Sequence, residues 1–269
     1  MVETPQWLRY SLRAFVIAYL TLLVAWPVSL VFRHAFADGF DAFISAVSEP
    51  NVRHALQLSL VVTVTAVLIN TVFGVTISLL LVRNEFPGKR LLSALLDVPM
   101  SVSPVVVGLA LLLVYNPRDS WLGTHLANAG LQIVFSTPGI VLATVFVALP
   151  LVIREVIPTL QEVGDEQEWA ARSLGASASQ TFWRITLPSI KWAVVYGVVL
   201  SLARSLGEYG AVKVVSGNIV GSTQTATLVV EERYQNFDQP TAFALAFILA
   251  AVAVVCIVVV AILRPQHED

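Results

Sequence analysis

Apolar positions in this chain fall into long uncharged runs, and polar positions into short stretches between them. The runs cover 14–32, 56–82, 98–115, 138–153 and 241–263, and a further one begins at Trp192 and continues past Arg204 and Glu208 toward Val215. A helix rises ~1.5 Å per residue, so ~20 apolar residues cross about 30 Å of hydrocarbon. None of the runs alternates apolar with polar residues. That removes the barrel strand and leaves the helix as the way to satisfy backbone groups in lipid. The pattern predicts an all-α polytopic membrane protein with six transmembrane helices, at about 14–34, 56–82, 93–115, 136–157, 191–214 and 241–263. Together they form one transmembrane domain over residues 1–269.

Composition agrees: 57% of the 269 residues are hydrophobic and 13% charged, against ~25% charged in a soluble domain. No polar block is long enough to fold separately. Residues 33–51 read as an external loop with a short interfacial helix, and 83–90 as a turn punctuated by Pro87–Gly88. Asn116–Pro117–Arg118–Asp119 opens a short external loop. Residues 214–227 carry no charge but are rich in Ser, Thr, Gly and Asn, too polar for a lipid-facing helix, and read as external or re-entrant. Ala35–Phe36–Ala37 offers the small residues of a signal-peptide cleavage site. The run before it has 19 residues, beyond the ~7–15 of a signal core, and Arg33–His34 intervenes, so the first span is expected to be retained. The single Cys256 lies inside the last run and supports neither a disulfide framework nor a thiolate metal site.

Net charge of −2 decides little; the placement of bases decides more. With the N-terminus inside, the cytoplasmic segments hold Arg9, Arg13, Arg83, Lys89, Arg90, Arg154, Arg172, Arg184, Lys191 and Arg264. The external segments hold Arg33, Arg53, Arg118, Arg204, Lys213 and Arg233. The dense Arg83–Lys89–Arg90 cluster carries the orientation, with both termini cytoplasmic.

No Gly-x-x-x-x-Gly-Lys-Ser/Thr loop occurs; Gly88–Lys89 is followed by Arg90. His34, His54, His125 and His267 are scattered, without metal spacing. The chain is therefore expected not to be an enzyme and to hold neither metal nor cofactor, and no nucleic-acid partner is expected. If transport is active, its energy enters through a partner.

Residues 164–188 contain the densest local signals. Asp165 can cap a helix, with Glu168 three residues on as its capping-box partner. Ala170 and Ala171 favour helix and Gly175 supplies the stop. Ser177 caps a second helix with Gln180 at its third position, and Phe182, Trp183 and Ile185 give that helix an apolar side before Pro188 ends it. Capping and amphipathicity alone would equally fit a connector lying at the headgroup level.

The spacing of Ala170–Ala171, Gly175, Ile185 and Pro188 resembles the EAA loop of bacterial ABC-importer permeases. The resemblance implies a type I ABC importer permease fold in which the first short helix is a coupling helix seated in a groove of an ATPase. Glu168, Trp169, Ala170, Ala171, Gly175, Ile185, Leu187 and Pro188 would form that ATPase-coupling loop. Trp169 stands where the family has its glutamate, and Glu168, one place earlier, lies about 100° around the helix. The segments Trp183–Arg184–Ile185–Thr186–Leu187–Pro188–Ser189–Ile190–Lys191–Trp192, Tyr196–Gly197, Ala203–Arg204–Ser205–Leu206–Gly207–Glu208–Tyr209–Gly210–Ala211 and Val215–Ser216–Gly217–Asn218–Ile219 resemble the sulfate/thiosulfate permease family of the CysW type. Ser101, Pro104, Val107 and Gly108 fit it upstream. Molybdate/tungstate permeases share the Gly-Glu-aromatic-Gly-Ala and Gly-Asn-Ile segments and stay open as the alternative. The sulfate likeness implies a second permease subunit of the CysT type, two copies of a cytoplasmic ATPase of the CysA type and an extracytoplasmic sulfate-binding protein. It also implies residence in the lipid bilayer of a bacterial cytoplasmic membrane.

Arg204 and Glu208 are opposite charges at membrane depth, where ionisable groups are costly. Their i,i+4 spacing admits two readings: a self-satisfying ion pair, or, with Ser216, part of the anion pathway. Gly207 and Gly210 are expected to allow close helix packing. Asp97, just before Pro99, is expected at a helix start. A membrane-embedded enzyme would need a catalytic constellation, and a secondary transporter buried coupling carboxylates; apart from Glu208, which Arg204 can pair, the apolar runs contain neither.

Overall fold

The computed structural model describes residues 6–263, so Arg264 and His267 lie outside the described residues. Every regular element among them is helical: α1 (Trp7–Ala35), α2 (Phe40–Ser48), α3 (Pro50–Arg83), α4 (Lys89–Ser101), α5 (Pro104–Tyr115), α6 (Trp121–Asn128), α7 (Thr137–Val163), α8 (Glu166–Ser173), α9 (Ala178–Leu206), α10 (Gly210–Ser216), α11 (Ala226–Gln235) and α12 (Gln239–Leu263). Five of these, α1, α3, α7, α9 and α12, are long and apolar enough to cross a bilayer, and the apolar pair α4–α5, bent by 113°, has the form of a broken span or a re-entrant loop. Proline opens several of them: Pro50, Pro104 and Pro138 sit in the first turn, where the missing N–H costs nothing.

Proline also explains two widened π turns. Thr21–Ala25 precedes Pro27, and Phe182–Thr186 precedes Pro188. In a regular helix each ring would strike the carbonyl four residues back. Here Trp26 N–H reaches Thr21 O and Leu187 N–H reaches Phe182 O, and the extra residue in the turn makes room.

Three expectations change. Pro188 does not end the second short helix; through the π turn that helix runs on into α9 without a break. The span expected at 93–115 is broken at Val102–Ser103, where both residues are extended and α4 and α5 meet at 113°. Pro104 drives Ser103 out of the helical region. The span expected at 191–214 stops at Leu206, capped by Gly207, and a separate helix α10 begins at Gly210.

The centre is α7, packed between α3 and α9. Val152 of α7 is approached from both sides by glycine: a carbon added at Gly74 would lie 2.8 Å from Val152 Cγ1, and one added at Gly197 would lie 2.9 Å from Val152 Cα. Close approach of this kind suits glycine in membrane helices. Val75, Val152, Val156, Leu160 and Ile190 close the core beside this crossing. A second cluster, Val107, Ala143, Val147, Ala211 and Val215, joins α5, α7 and α10. Gly210 packs tightly on Pro104, but a carbon at Gly207 would meet nothing nearer than 3.8 Å, so Gly207 ends a helix rather than packing one. At the periphery α1 leaves Phe15, Ile17 and Leu22 exposed and is held to α12 through Phe32 and Phe36, whose rings lie 5.5 and 5.3 Å from that of Phe247.

Candidate functional site: the short helix α8 and the charged joint

α8 hangs from the end of α7 by Gly164 and Asp165. The capping box expected at its start does not form. Asp165 gives its carboxylate to Trp169 Nε1 at 2.9 Å instead of to the backbone. Glu168 turns inward, and its Oε1 accepts from Arg83 Nε at 3.3 Å, Arg83 Nη2 at 3.1 Å and Thr186 Oγ1 at 3.0 Å. The same guanidinium donates to Leu160 O at 3.3 Å and Gly164 O at 2.5 Å, the open carbonyls at the end of α7. A cation is favoured at a helix C-terminus, where the carbonyl dipoles point outward. One carboxylate oxygen thereby links α8, α3 and the π turn of α9.

The other two local predictions hold. Gly175 adopts φ +87° and closes α8, with its N–H on Arg172 O and Ala176 N–H on Ala171 O, both at 3.0 Å. Ser177 and Gln180 exchange both bonds of a capping box, at 3.3 and 2.9 Å.

The result is a two-sided loop. Glu168 is 9% exposed and Trp169 62%, so these neighbouring positions separate the inside of the loop from the outside. Trp169, Ala170, Leu174, Gly175, Trp183 and Pro188 face outward, while Ala171, Ile185 and Leu187 are half-buried behind them. Leu174, 90% exposed, and Trp183, 64% exposed, extend this apolar surface. Sequence reading left Arg83 in a turn. Its place directly after the second apolar run is the one available hint, and the 85 positions separating it from Glu168 hide the pairing.

At the charged joint, Arg204 Nη1 lies 2.6 Å from Glu208 Oε2. Glu208 is buried and does more than pair: Oε1 accepts from Ala211 N–H at 3.0 Å, and its carbonyl accepts from Thr227 Oγ1 at 2.9 Å. The pair therefore bridges the break between α9 and α10 rather than lying along one helix. Ser216 is not part of it. It is fully buried, its hydroxyl accepts from Asn218 N–H at 3.1 Å, and its carbonyl accepts from Thr223 Oγ1 at 2.6 Å, so it closes the 216–223 turn. Asp97 lies inside α4, not at its start, and pairs with Arg154 of α7 at 2.8 Å.

Beyond the joint, Lys213 of α10 pairs with Glu231 of α11 and donates to Tyr209 OH at 2.7 Å. The Glu231 hydrogen bond, followed by that of Tyr209, holds the Lys213 ammonium above its ordinary range. Burial pushes the Glu231 carboxyl up, but the bonds from Lys213 and Tyr209 outweigh it and hold the group below the usual carboxylate range. Among the described residues no group of three His, Cys, Asp or Glu side chains is placed to hold a metal ion.

Residues 70–267 match the family described as binding-protein-dependent transport system inner membrane component. The sulfate transport system permease protein CysW of Synechocystis sp. is 48% identical over 258 residues, covering 96% of this chain and 93% of that protein. The sulfate transport system permease protein CysT of the same organism is 33% identical over 248 residues, covering 92% and 86%. The crystal structure of a bacterial ABC transporter involved in the import of the acidic polysaccharide alginate is similar in fold, with a TM-score of 0.78 at 16% identity over 98% of this chain and 96% of that one. With so much of the sequence shared across nearly the whole of both chains, the protein belongs to the family of binding-protein-dependent transport inner membrane components, in its branch of CysW-type sulfate transport permeases.

Proposed function

We propose that this chain is a membrane subunit of an ABC importer that moves sulfate or thiosulfate inward, energised by a cytoplasmic ATPase that docks on α8. The observation that carries the substrate is the 48% identity, over 96% of this chain, with a sulfate transport permease. The outward side of the loop supports the ATPase: Trp169 on α8, Leu174 just after it and Trp183 on the π turn of α9 are exposed apolar side chains. An exposed patch of that kind on a polar-rimmed loop marks an interaction site.

The lower likeness to CysT, over 92% of this chain, favours a second, related permease subunit beside this one. The family's dependence on a binding protein favours an extracytoplasmic protein that delivers the anion. Both termini and the α8 loop would then face the cytoplasm of a bacterial cell with the chain in its inner membrane.

Reconstitution in vesicles with the co-encoded ATPase, second permease and binding protein tests the reading. Sulfate uptake that requires internal ATP is expected, with molybdate far behind. Uptake without any ATPase would overturn the importer assignment, and preference for molybdate would overturn the substrate.

A further inference from the structure

We propose that Arg83 is the positioning residue that fastens the coupling helix to the bundle, so that displacement of α8 is delivered to α3, α7 and α9 together. The inference rests on the reading that α8 engages an ATPase.

α8 has eight residues, and Glu168 is the one among them that is buried. The remaining side chains face outward or are half-covered, and the link to α7 is Gly164, at φ +69° and ψ −167°, followed by Asp165. A short helix on a glycine link, without a large apolar anchor, would swing about that link when pushed. What prevents it is the clasp. Glu168 Oε1 takes three donors from two other helices, and Arg83 directs two further donors to the end of α7. A planar, forked guanidinium fixes direction as well as distance, which a lysine ammonium does not.

The clasp also sits where a push is best transmitted. Leu160, whose carbonyl receives Arg83, is packed with Val75, Val152, Val156 and Ile190, the cluster that joins α3, α7 and α9. Thr186, the third donor, lies on the π turn that makes the second loop helix continuous with α9. Motion of α8 therefore enters three core helices through one buried oxygen.

The test uses the complete transporter in vesicles, with Arg83→Lys, Arg83→Gln and the exchange Arg83→Glu with Glu168→Arg. With the ATPase still bound, sulfate moved per ATP hydrolysed is expected to fall roughly two- to thirty-fold in the single variants, the range seen when a coupling network is cut. The exchange is expected to recover at least half of the loss. An unchanged ratio in both single variants would overturn the proposal. Because a variant can fail to assemble, amide exchange over residues 166–174 is measured in the permease chain alone. Faster exchange in Arg83→Lys supports the clasp, and unchanged exchange overturns it. Wild-type vesicles that show no ATP-dependent uptake would undo the functional reading instead, and the exchange measurement would still decide whether Arg83 fastens α8.

Discussion

Gly197 lies against the backbone of Val152, with room for a hydrogen but not for a methyl: an added carbon would sit 2.9 Å from the Val152 Cα. The neighbour is main chain, which cannot rotate away as a side chain end could. Gly197→Val is therefore expected to force α9 off α7 and to cost about 1–3 kcal/mol or more through overpacking. Gly207→Ala, where the nearest atom is 3.8 Å away, is expected to stay within ~0.5 kcal/mol. Melting temperatures of the two detergent-solubilised variants check the contrast.

Gly175 differs from Gly197, since nothing lies within 4 Å of an added carbon and the constraint is its φ of +87°. A branched side chain in that region costs ~1–2 kcal/mol. Gly175→Val is expected to distort the end of α8 and to leave ATP hydrolysis running while sulfate uptake falls. Gly175→Asn, which tolerates the left-handed region, is expected to keep most uptake. Parallel assays of hydrolysis and uptake separate the two variants.

Trp169 faces outward, whereas Glu168 occupies the inner position. Trp169→Glu, which restores the family's residue, is expected to be tolerated. Leu174→Asp places a charge among the exposed apolar side chains of the loop and is expected to weaken attachment of the ATPase by on the order of 2 kcal/mol. Leu174 is 90% exposed, so the permease alone should melt unchanged. Co-purification of the ATPase and the melting temperature together check this.

Glu208 supports both Arg204 and the first turn of α10. Glu208→Ala is expected to cost about 1–3 kcal/mol, because it leaves the buried Ala211 N–H without its acceptor, while the Arg204 side chain left behind is 37% exposed. Arg204→Lys preserves the charge across the joint and is expected to keep both assembly and uptake. Normal assembly with lost sulfate uptake in Arg204→Lys would instead put Arg204 in the anion pathway.

The Lys213–Glu231 tie gives a pH dependence with a defined sign. The Glu231 carboxyl is held below its ordinary value of 4.5, so its contribution is present above pH 4.5 and disappears as pH falls through the lower folded value. Lys213 is held above 10.5, and its part is lost only as pH rises beyond that. The stability gap between the wild type and Glu231→Gln is thus expected to be steady near neutrality and to close on acidification below about pH 4.5. Thermal melts across that range check it.

Sequence by itself determined what rests on neighbours along the chain. Run length located the long apolar helices, because bilayer thickness and helical rise set how many apolar residues one needs. The stop at Gly175 and the cap of Ser177 by Gln180 were legible because each is closed by atoms three to five residues apart. Tertiary structure decided whatever depends on where helices cross. Asp165 and Glu168 had the spacing of a capping box, yet Glu168 turned to Arg83 because α3 ends beside it and offers a forked cation. Gly197 and Gly207 are alike as letters, and only the presence of Val152 behind one of them makes it irreplaceable. Arg204 and Glu208 fitted an unbroken helix at i,i+4; the chain instead breaks at Gly207, and their ion pair spans the break. A local hydrogen bond competes within one turn, whereas a buried charge goes to whichever partner the packing brings near. That partner cannot be read until the helices are in place.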